Sequence, residues 1–381
     1  MKQQDFYNTL TKKNKVLDCY KQLILKYNSN KLFSINNADK IPITSNIALF
    51  PSYLQPEFVA HKNIKVTIIP QKKIIGYSVL IKNHSSIDEL LRTEYKKSFR
   101  ANILRFVNRF ESCFDADYKM FFGHILKEEY TFLMDILHSM LTKRFNQRND
   151  SNKILQNWTE YLDTTYGLIN KKKASLFVIY NNTTPVHISI NHHFGKILFV
   201  SIPSFDIDYS KFALGNVSLY KLLEWSINNH YDVMDMAYGY LEYKRRWSNH
   251  IYDFNHHIVF NNSNLLNRLI AYIEVKKVAF KNFLKNKNID QLIKNAKNKL
   301  RKRNNHETDL TYSFENFDKK NFNSLKAIQL ENGALAFIRK PINDFLYSNK
   351  EHISTLKVFE TIKSKEYILY GEKNAQKLII L

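Results

Sequence analysis

The stretch Asp232–Trp247, D-V-M-D-M-A-Y-G-Y-L-E-Y-K-R-R-W, decides how the chain is read. Val233, Met234 and Met236 make a short apolar run that carries a carboxylate at Asp235; the chain then meets Gly239 and an acidic, aromatic and basic cluster, Glu242, Tyr243 and Lys244. A brief apolar run closed by a glycine reads as a strand and a turn, with a helix starting at the cluster. Just upstream, Val217, Tyr220, Leu222, Leu223 and Ile227 recur at three- and four-residue spacing, which predicts a helix over 216–229 followed by a strand over 231–236.

Further upstream, Ala174–Tyr180, Pro185–His193 and Lys196–Pro203 are apolar runs joined by the short connections Asn181–Thr184 and Phe194–Gly195. Connections that short join antiparallel neighbours, so the segment predicts a three-strand meander. Amphipathic helices are expected within Ser86–Glu111, at Glu128–Phe145 and at Asn152–Tyr166. Helices, then a meander, then helix and strand define an α+β arrangement, one antiparallel-rich sheet flanked by helices. In the N-terminal part, a helix is expected around Val16–Lys26 and a hairpin from Lys65–Pro70 and Lys73–Lys82 turning at Gln71-Lys72. Leu265–Lys302 reads as a long helical region with a break near Asn288 and Ile289, and 304–381 as a small α/β extension with a strand at Gly333–Ile338, a helix at Ile353–Ile362 and a strand at Tyr367–Tyr370. The organisation expected is 1–94, 95–262, 263–303 and 304–381.

Rare residues exclude several function classes. The chain has only eight glycines, none closer than the twenty positions between Gly195 and Gly215. Dinucleotide fingerprints, P-loops and G-x-S-x-G elbows all need glycines two to five apart, so none can be built. Cys19 and Cys113 cannot make a thiolate zinc cage and are expected as reduced thiols. Adjacent histidines on a strand point to opposite faces, so neither His192-His193 nor His256-His257 should hold one ion; no metal is expected. The polar N-terminal stretch lacks a signal-type apolar core, and no run of about 18 apolar residues occurs, so a cytoplasmic protein is expected.

Three stretches together resemble the GNAT-type acyl-CoA N-acyltransferases, in the branch holding the CelD-like (BioF2-like) acetyltransferases and the Fem aminoacyltransferases. They are Lys96–Glu111 (K-K-S-F-R-A-N-I-L-R-F-V-N-R-F-E), His187 through Ala213-Leu214-Gly215, and Asp232–Trp247 itself, covering roughly 95–260. The resemblance implies a complete acyltransferase domain there, preceded by a smaller, degenerate copy. It implies that the pantetheine of acyl-CoA lies along Lys196–Pro203, touching Ile202 and Pro203, and that the pyrophosphate sits over the start of the helix at Gly215, Asn216 and Ser218. Unpaired N–H groups and the positive dipole end make such a start attractive to anions. The superfamily's R/Q-x-x-G-x-G/A loop is absent from this chain.

For transfer to an amine, Asp235 or Glu242 is the expected base, Tyr243 the donor to the departing thiolate and Lys244 the partner of oxyanion or phosphate charge. Asp206, Asp208, Tyr238 and Gly239 are expected on the acceptor side. Ordinary alternatives stand beside several of these: Asp235 as a turn acceptor, Tyr243 and Lys244 as helix surface, and Trp247 as packing; Asp206-x-Asp208 also resembles the metal-nucleotide D-x-D of some glycosyltransferases, and a substrate-side loop is the preferred reading.

The chain carries 57 Lys+Arg against 35 Asp+Glu, a net charge of +22. Between Lys276 and Arg303, eleven basic residues face Asp290 alone. Leu265, Leu269, Tyr272, Val278, Phe280, Phe283 and Leu284 are expected to point inward, leaving a lysine coat that would suit an anionic membrane surface or tRNA. The leading expectation is transfer of an acyl group, acetyl from acetyl-CoA, to an amine of a sugar or cell-envelope precursor. A Fem-like enzyme using aminoacyl-tRNA and a non-catalytic nucleic-acid-binding protein are the alternatives.

Overall fold

The computed structural model describes residues 2–35, 44–60, 62–81, 84–148, 153–287, 310–319, 327–328, 333–361 and 363–381. The chain runs β1 (Gln3–Asp5), α1 (Phe6–Lys13), β2 (Tyr20–Leu25), β3 (Lys31–Ser34), β4 (Ser45–Pro51), β5 (Leu54–Phe58) and β6 (Ile64–Leu80). It continues through α2 (Ile87–Glu94), α3 (Lys97–Cys113), β7 (Ala116–Phe121), α4 (Lys127–Arg148), α5 (Lys153–Gln156), α6 (Trp158–Asn170), β8 (Ala174–Asn181), β9 (Thr184–Phe194) and β10 (Ile197–Phe205). A 3-10 turn at Ile207–Phe212 leads to α7 (Leu214–Asn228), β11 (Val233–Tyr238), α8 (Glu242–Trp247), β12 (His250–Asn261) and α9 (Leu265–Asn286). The last part holds β13 (Tyr312–Asn316), β14 (Ala327–Ile328), α10 (Arg339–Asn349), β15 (Lys357–Glu360), β16 (Glu366–Tyr370) and β17 (Ala375–Ile380).

Nine strands form one mixed sheet in the order β1-β4-β12-β6-β11-β10-β9-β8-β7, with a five-stranded C-terminal sheet and a three-stranded sheet at the N-terminal end. The α+β architecture and the β8-β9-β10 antiparallel meander agree with the sequence reading. Strand β9 is buried from Pro185 to Phe194 on both faces. It therefore shows an unbroken rather than alternating pattern, as expected of a strand covered on both sides. Helices α3 and α7 pack on one face through Ile103, Val107, Phe110, Val217 and Leu223. Helices α4 and α6 pack on the other through Leu133, Leu137, Tyr161 and Ile169, meeting Ile188, Ile190 and Ile202. The segments 1–94 and 95–262 share this sheet, because β6 lies between β11 and β12 and pairs with both.

Several local expectations are corrected. Val16–Lys26 does not form a helix: Tyr20–Leu25 is a strand, paired with β3 and β5, that buries Tyr20, Leu23 and Leu25. Its apolar residues fit both a helical and an alternating template, and long-range pairing decided between them. The hairpin expected at Gln71-Lys72 is instead a bulge inside one long strand. Opposite β12, the register jumps from Asp253↔Ile75 to Phe254↔Gln71, and Lys73 takes a positive φ of 58°. The turn chemistry is thus used, but the chain does not reverse. Gly333–Ile338 is a 3-10 helix rather than a strand, and in place of the helix expected at Ile353–Ile362 the chain forms a 3-10 turn at Ile353–Thr355 followed by β15, with Ile362 outside the described residues.

Helix α9 is seated by polar clamps. Asn282 Nδ2 donates to Pro70 O, its Oδ1 accepts from Lys72 N, and Glu274 accepts from Asn46. Ala271 and Val278 are its buried residues. Leu265, Leu269, Tyr272, Phe280 and Phe283, expected inward, are exposed. The basic residues from Lys294 to Arg303, with Asp290 and the expected break, lie outside the described residues.

Candidate active site

Strands β10 and β11 are parallel and paired only as far as Phe199↔Asp235. Beyond that pair they part, for reasons visible in both. Strand β10 bulges between Val200 and Ile202. Strand β11 bends at Ala237, which adopts φ +62° and donates its N–H to Asp235 Oδ1 at 2.6 Å. Left-handed backbone at a non-glycine residue costs energy and persists only where the surroundings enforce it. Here the enforcing group is the Asp235 carboxylate, itself fully buried.

Three tyrosine hydroxyls complete its shell: Tyr53 and Tyr252 donate to Oδ2 at 2.7 Å each, and Tyr7 to Oδ1 at 3.1 Å. Burial pushes the Asp235 carboxyl up, and the tyrosine and Ala237 hydrogen bonds pull it back. Burial and the neighbouring Asp235 hold all three phenols well above their usual range, so they stay donors.

The wedge between the strands is a cavity of about 240 Å³. Pro203 and Val200 line one side, Met236 and Ala237 the other, and Gly215, Asn216 and Ser218 close it from the start of α7. That helix start has no side-chain cap, and Ala213 just before it adopts φ +52°. A Cβ built on Gly215 would meet nothing within 4 Å. An open, uncapped first turn facing a cavity presents N–H donors to an anion.

Lys244 and Tyr243 enter the same cavity from α8. The Lys244 ammonium is buried and donates to Tyr238 O at 3.0 Å. Burial lowers its pKa to about 8, against a smaller upward pull from Asp235. Helix α8 is fixed by Trp247, fully buried, whose indole N–H donates to Asn216 Oδ1 at 2.9 Å.

The structure thus brings Pro203, Gly215, Asn216, Ser218, Tyr243 and Lys244 together. Asp235 stands behind them, as the turn acceptor of the Ala237 bend. Gly239, at φ +103°, makes the turn into α8, and Tyr238 contributes its carbonyl to Lys244. Ile202 faces the opposite side of the sheet and packs with α4 and α6. Glu242 is exposed and pairs with Arg246 at 3.3 Å, outside the cavity. Asp206 and Asp208 are both bound by Arg339 of α10, at 2.7 and 2.6 Å, which ties the C-terminal segment to the 3-10 turn after β10. Asp206 also lines a second cavity of about 410 Å³, with Lys143, Thr184 and Arg339.

Among the lining residues not singled out from sequence are Arg144 and His187. Arg144, from the end of α4, lies over the Phe205 ring at 5.0 Å. His187 is fully buried, and neither ring nitrogen has a hydrogen-bond partner among the described residues. Burial, reinforced by Arg144, lowers its pKa to about 3, so the imidazole is neutral. The one available signal was a polar residue in an otherwise apolar strand. Three other buried histidines are hydrogen-bonded: His192 with Ser201, His193 with Tyr231 and Ser175, His257 with Tyr20. Cys19 and Cys113 are buried free thiols.

Residues 97–245 match the family model described as an acetyltransferase (GNAT) domain. The chain therefore carries a GNAT-superfamily domain, running from α3 to α8. Among solved structures, a conserved protein of unknown function from Bacteroides thetaiotaomicron VPI-5482 is 13% identical, with 57% of this chain and 70% of that chain covered and a TM-score of 0.40. FemX is 9% identical over 55% of this chain and 68% of that chain, with a TM-score of 0.39. At these values the likenesses carry no conclusion about activity. No curated protein matches. Among the described residues no helix is long and apolar enough to cross a membrane.

Proposed function

We propose that the chain is an N-acyltransferase whose donor is an acyl-CoA, acetyl-CoA in the first instance, and whose acceptor is an amine of a sugar or cell-envelope precursor. The observation that carries this is the parting of β10 from β11 directly beside the uncapped start of α7. The edges of two parted strands offer backbone partners to an extended pantetheine, and the helix start offers N–H donors to a pyrophosphate.

Transfer forms an amide bond between the acceptor nitrogen and the acyl carbon while the carbon–sulfur bond breaks and the thiolate leaves with a proton. Lys244, cationic below about pH 8, supplies positive charge where the thioester oxygen becomes an oxyanion. Tyr243 is assigned the proton given to the thiolate. Asp235 has no exposed surface, so it is assigned a positioning role: it bends β11 at Ala237 and raises the charge on Lys244. The acceptor amine then loses its proton to water rather than directly to Asp235 or to the outlying Glu242.

A melting experiment tests the donor. Acetyl-CoA at saturating concentration raises the melting temperature, because a ligand binding only the folded state stabilises it by mass action. No shift with acetyl-CoA, together with a salt-sensitive shift with aminoacyl-tRNA, would transfer the assignment to the Fem-like alternative.

A further inference from the structure

We propose that the outward face of α9 is a docking surface for an anionic lipid bilayer, with the helix lying flat at the headgroup level. At about 100° per residue, Leu265, Leu269, Tyr272, Phe280 and Phe283 fall within an arc of roughly 80°. Their exposures run from 54 to 76%. An amphipathic helix in a globular protein turns such a stripe inward; α9 instead buries Ala271 and Val278 and fastens itself to β6 through Asn282. The apolar stripe is therefore left outside by a helix whose inner face is already satisfied.

The charges around the stripe select the occupant. Arg268 flanks it on one side and Lys277, paired with Glu274 at 2.9 Å, on the other, while Lys287 falls within its arc; all three basic residues are exposed. Lys276 lies within the stripe with Nζ 5.3 Å from the Tyr272 ring centroid, an arrangement that lets the chain lie on apolar surface while the ammonium reaches out. Two copies of this face brought together would set cations against cations, on a chain already at +22. A nucleic acid would meet the cations but leave five large apolar side chains without a partner. A bilayer with anionic headgroups answers both features at once. This inference stands independently of the donor assigned to the β10–β11 cavity.

The test is co-sedimentation of the full chain with vesicles of phosphatidylcholine alone or with about a third phosphatidylglycerol. Strong pelleting only with the anionic vesicles is expected. Lys276→Gln with Lys287→Gln should weaken the partition about thirtyfold, taking about 1 kcal/mol per basic residue. Leu269→Glu with Phe280→Glu should abolish it while the acetyl-CoA melting shift, which reads the fold and the donor cavity, stays as in the parent. Equal pelleting on both vesicle types, or pelleting insensitive to both double variants, overturns the proposal. So does a dimer in light scattering that Leu269→Glu with Phe280→Glu dissociates, which would give the face to a second copy, or RNA binding without vesicle binding.

Discussion

Trp247 and Asn216 join the two helices that frame the cavity: the indole N–H of the last residue of α8 donates to the side-chain oxygen in the first turn of α7 at 2.9 Å. One bond thus sets the distance between the helix that carries Tyr243 and Lys244 and the helix start that offers its N–H groups. Asn216→Ala leaves a buried indole donor without an acceptor, a loss of about 1–3 kcal/mol. A lower melting temperature and a higher KM for acetyl-CoA are expected. Asn216→Asp, which keeps the acceptor, should recover the melting temperature.

Gly215 separates stability from binding. Its Cβ position is open, so Gly215→Asp can place its first side-chain carbon freely, and an acidic residue in the first turn favours the helix dipole by about 0.3–1 kcal/mol. The same carboxylate would repel a pyrophosphate at that helix start. Calorimetry should therefore show a protein as stable as the parent, or slightly more so, with acetyl-CoA affinity reduced at least tenfold. Unchanged affinity would place the pyrophosphate elsewhere.

Lys244 gives a pH signature for both stability and rate. Its pKa is lowered in the folded state to about 8 from 10.5. Between those values the unfolded chain binds more protons, so stability rises as pH rises from about 8 toward 10.5, and the cost of burying the charge is fully present below 8. Lys244→Met should raise the melting temperature at pH 7, where that cost is on the order of 3 kcal/mol, while lowering kcat by a factor of a hundred or more. In the parent enzyme, kcat should fall as pH rises through about 8. A rate that climbs through that range would show the neutral amine to be the active form.

The positioning role proposed for Asp235 predicts effects on geometry rather than on proton transfer. Tyr252→Phe or Tyr53→Phe each removes one hydrogen bond to a buried carboxylate and should cost about 1.5–3 kcal/mol. Activity should survive in proportion to the folded fraction. Asp235→Asn should be worse, because an amide oxygen replaces the charge that four donors share, and the Ala237 bend loosens with it. The readout is KM against kcat: a positioning role raises KM for acetyl-CoA together with the fall in kcat, whereas a direct base would lose kcat alone.

Acid should unfold the chain well above the carboxylate range. His187, His193 and His257 have pKa values lowered by burial to about 3, and His192 to about 4. Above about pH 6.5 they are neutral in both states; below it only the unfolded chain takes up their protons, until the pH reaches 3 to 4. At pH 5 each withdraws about 2 kcal/mol, and four together withdraw roughly 8, comparable to the whole stability of a domain. A circular-dichroism titration should find the midpoint near pH 5. Full structure retained at pH 4 would contradict the burial of these rings.

What the residues determined unaided is the run from the meander through Lys244. The helix over 216–229, the strand ending near Asp235, the turn at Gly239 and the aromatic-basic helix start all depend on neighbours a few positions apart, and periodicity and turn chemistry report such neighbours directly. Tertiary structure decided the rest. The tyrosine donors around Asp235 lie 228, 182 and 17 positions away, so no local pattern could show that the expected base is sealed by tyrosines. A turn signal at Gln71-Lys72 became a bulge because β12 pairs on both sides of it. The stripe on α9 is legible as apolar, but which way it points was settled by Asn282 and Asn46, polar residues that tie the opposite face to the sheet. Hydrophobic spacing tells that a face exists; only the contacts of the folded chain determine what, if anything, covers it.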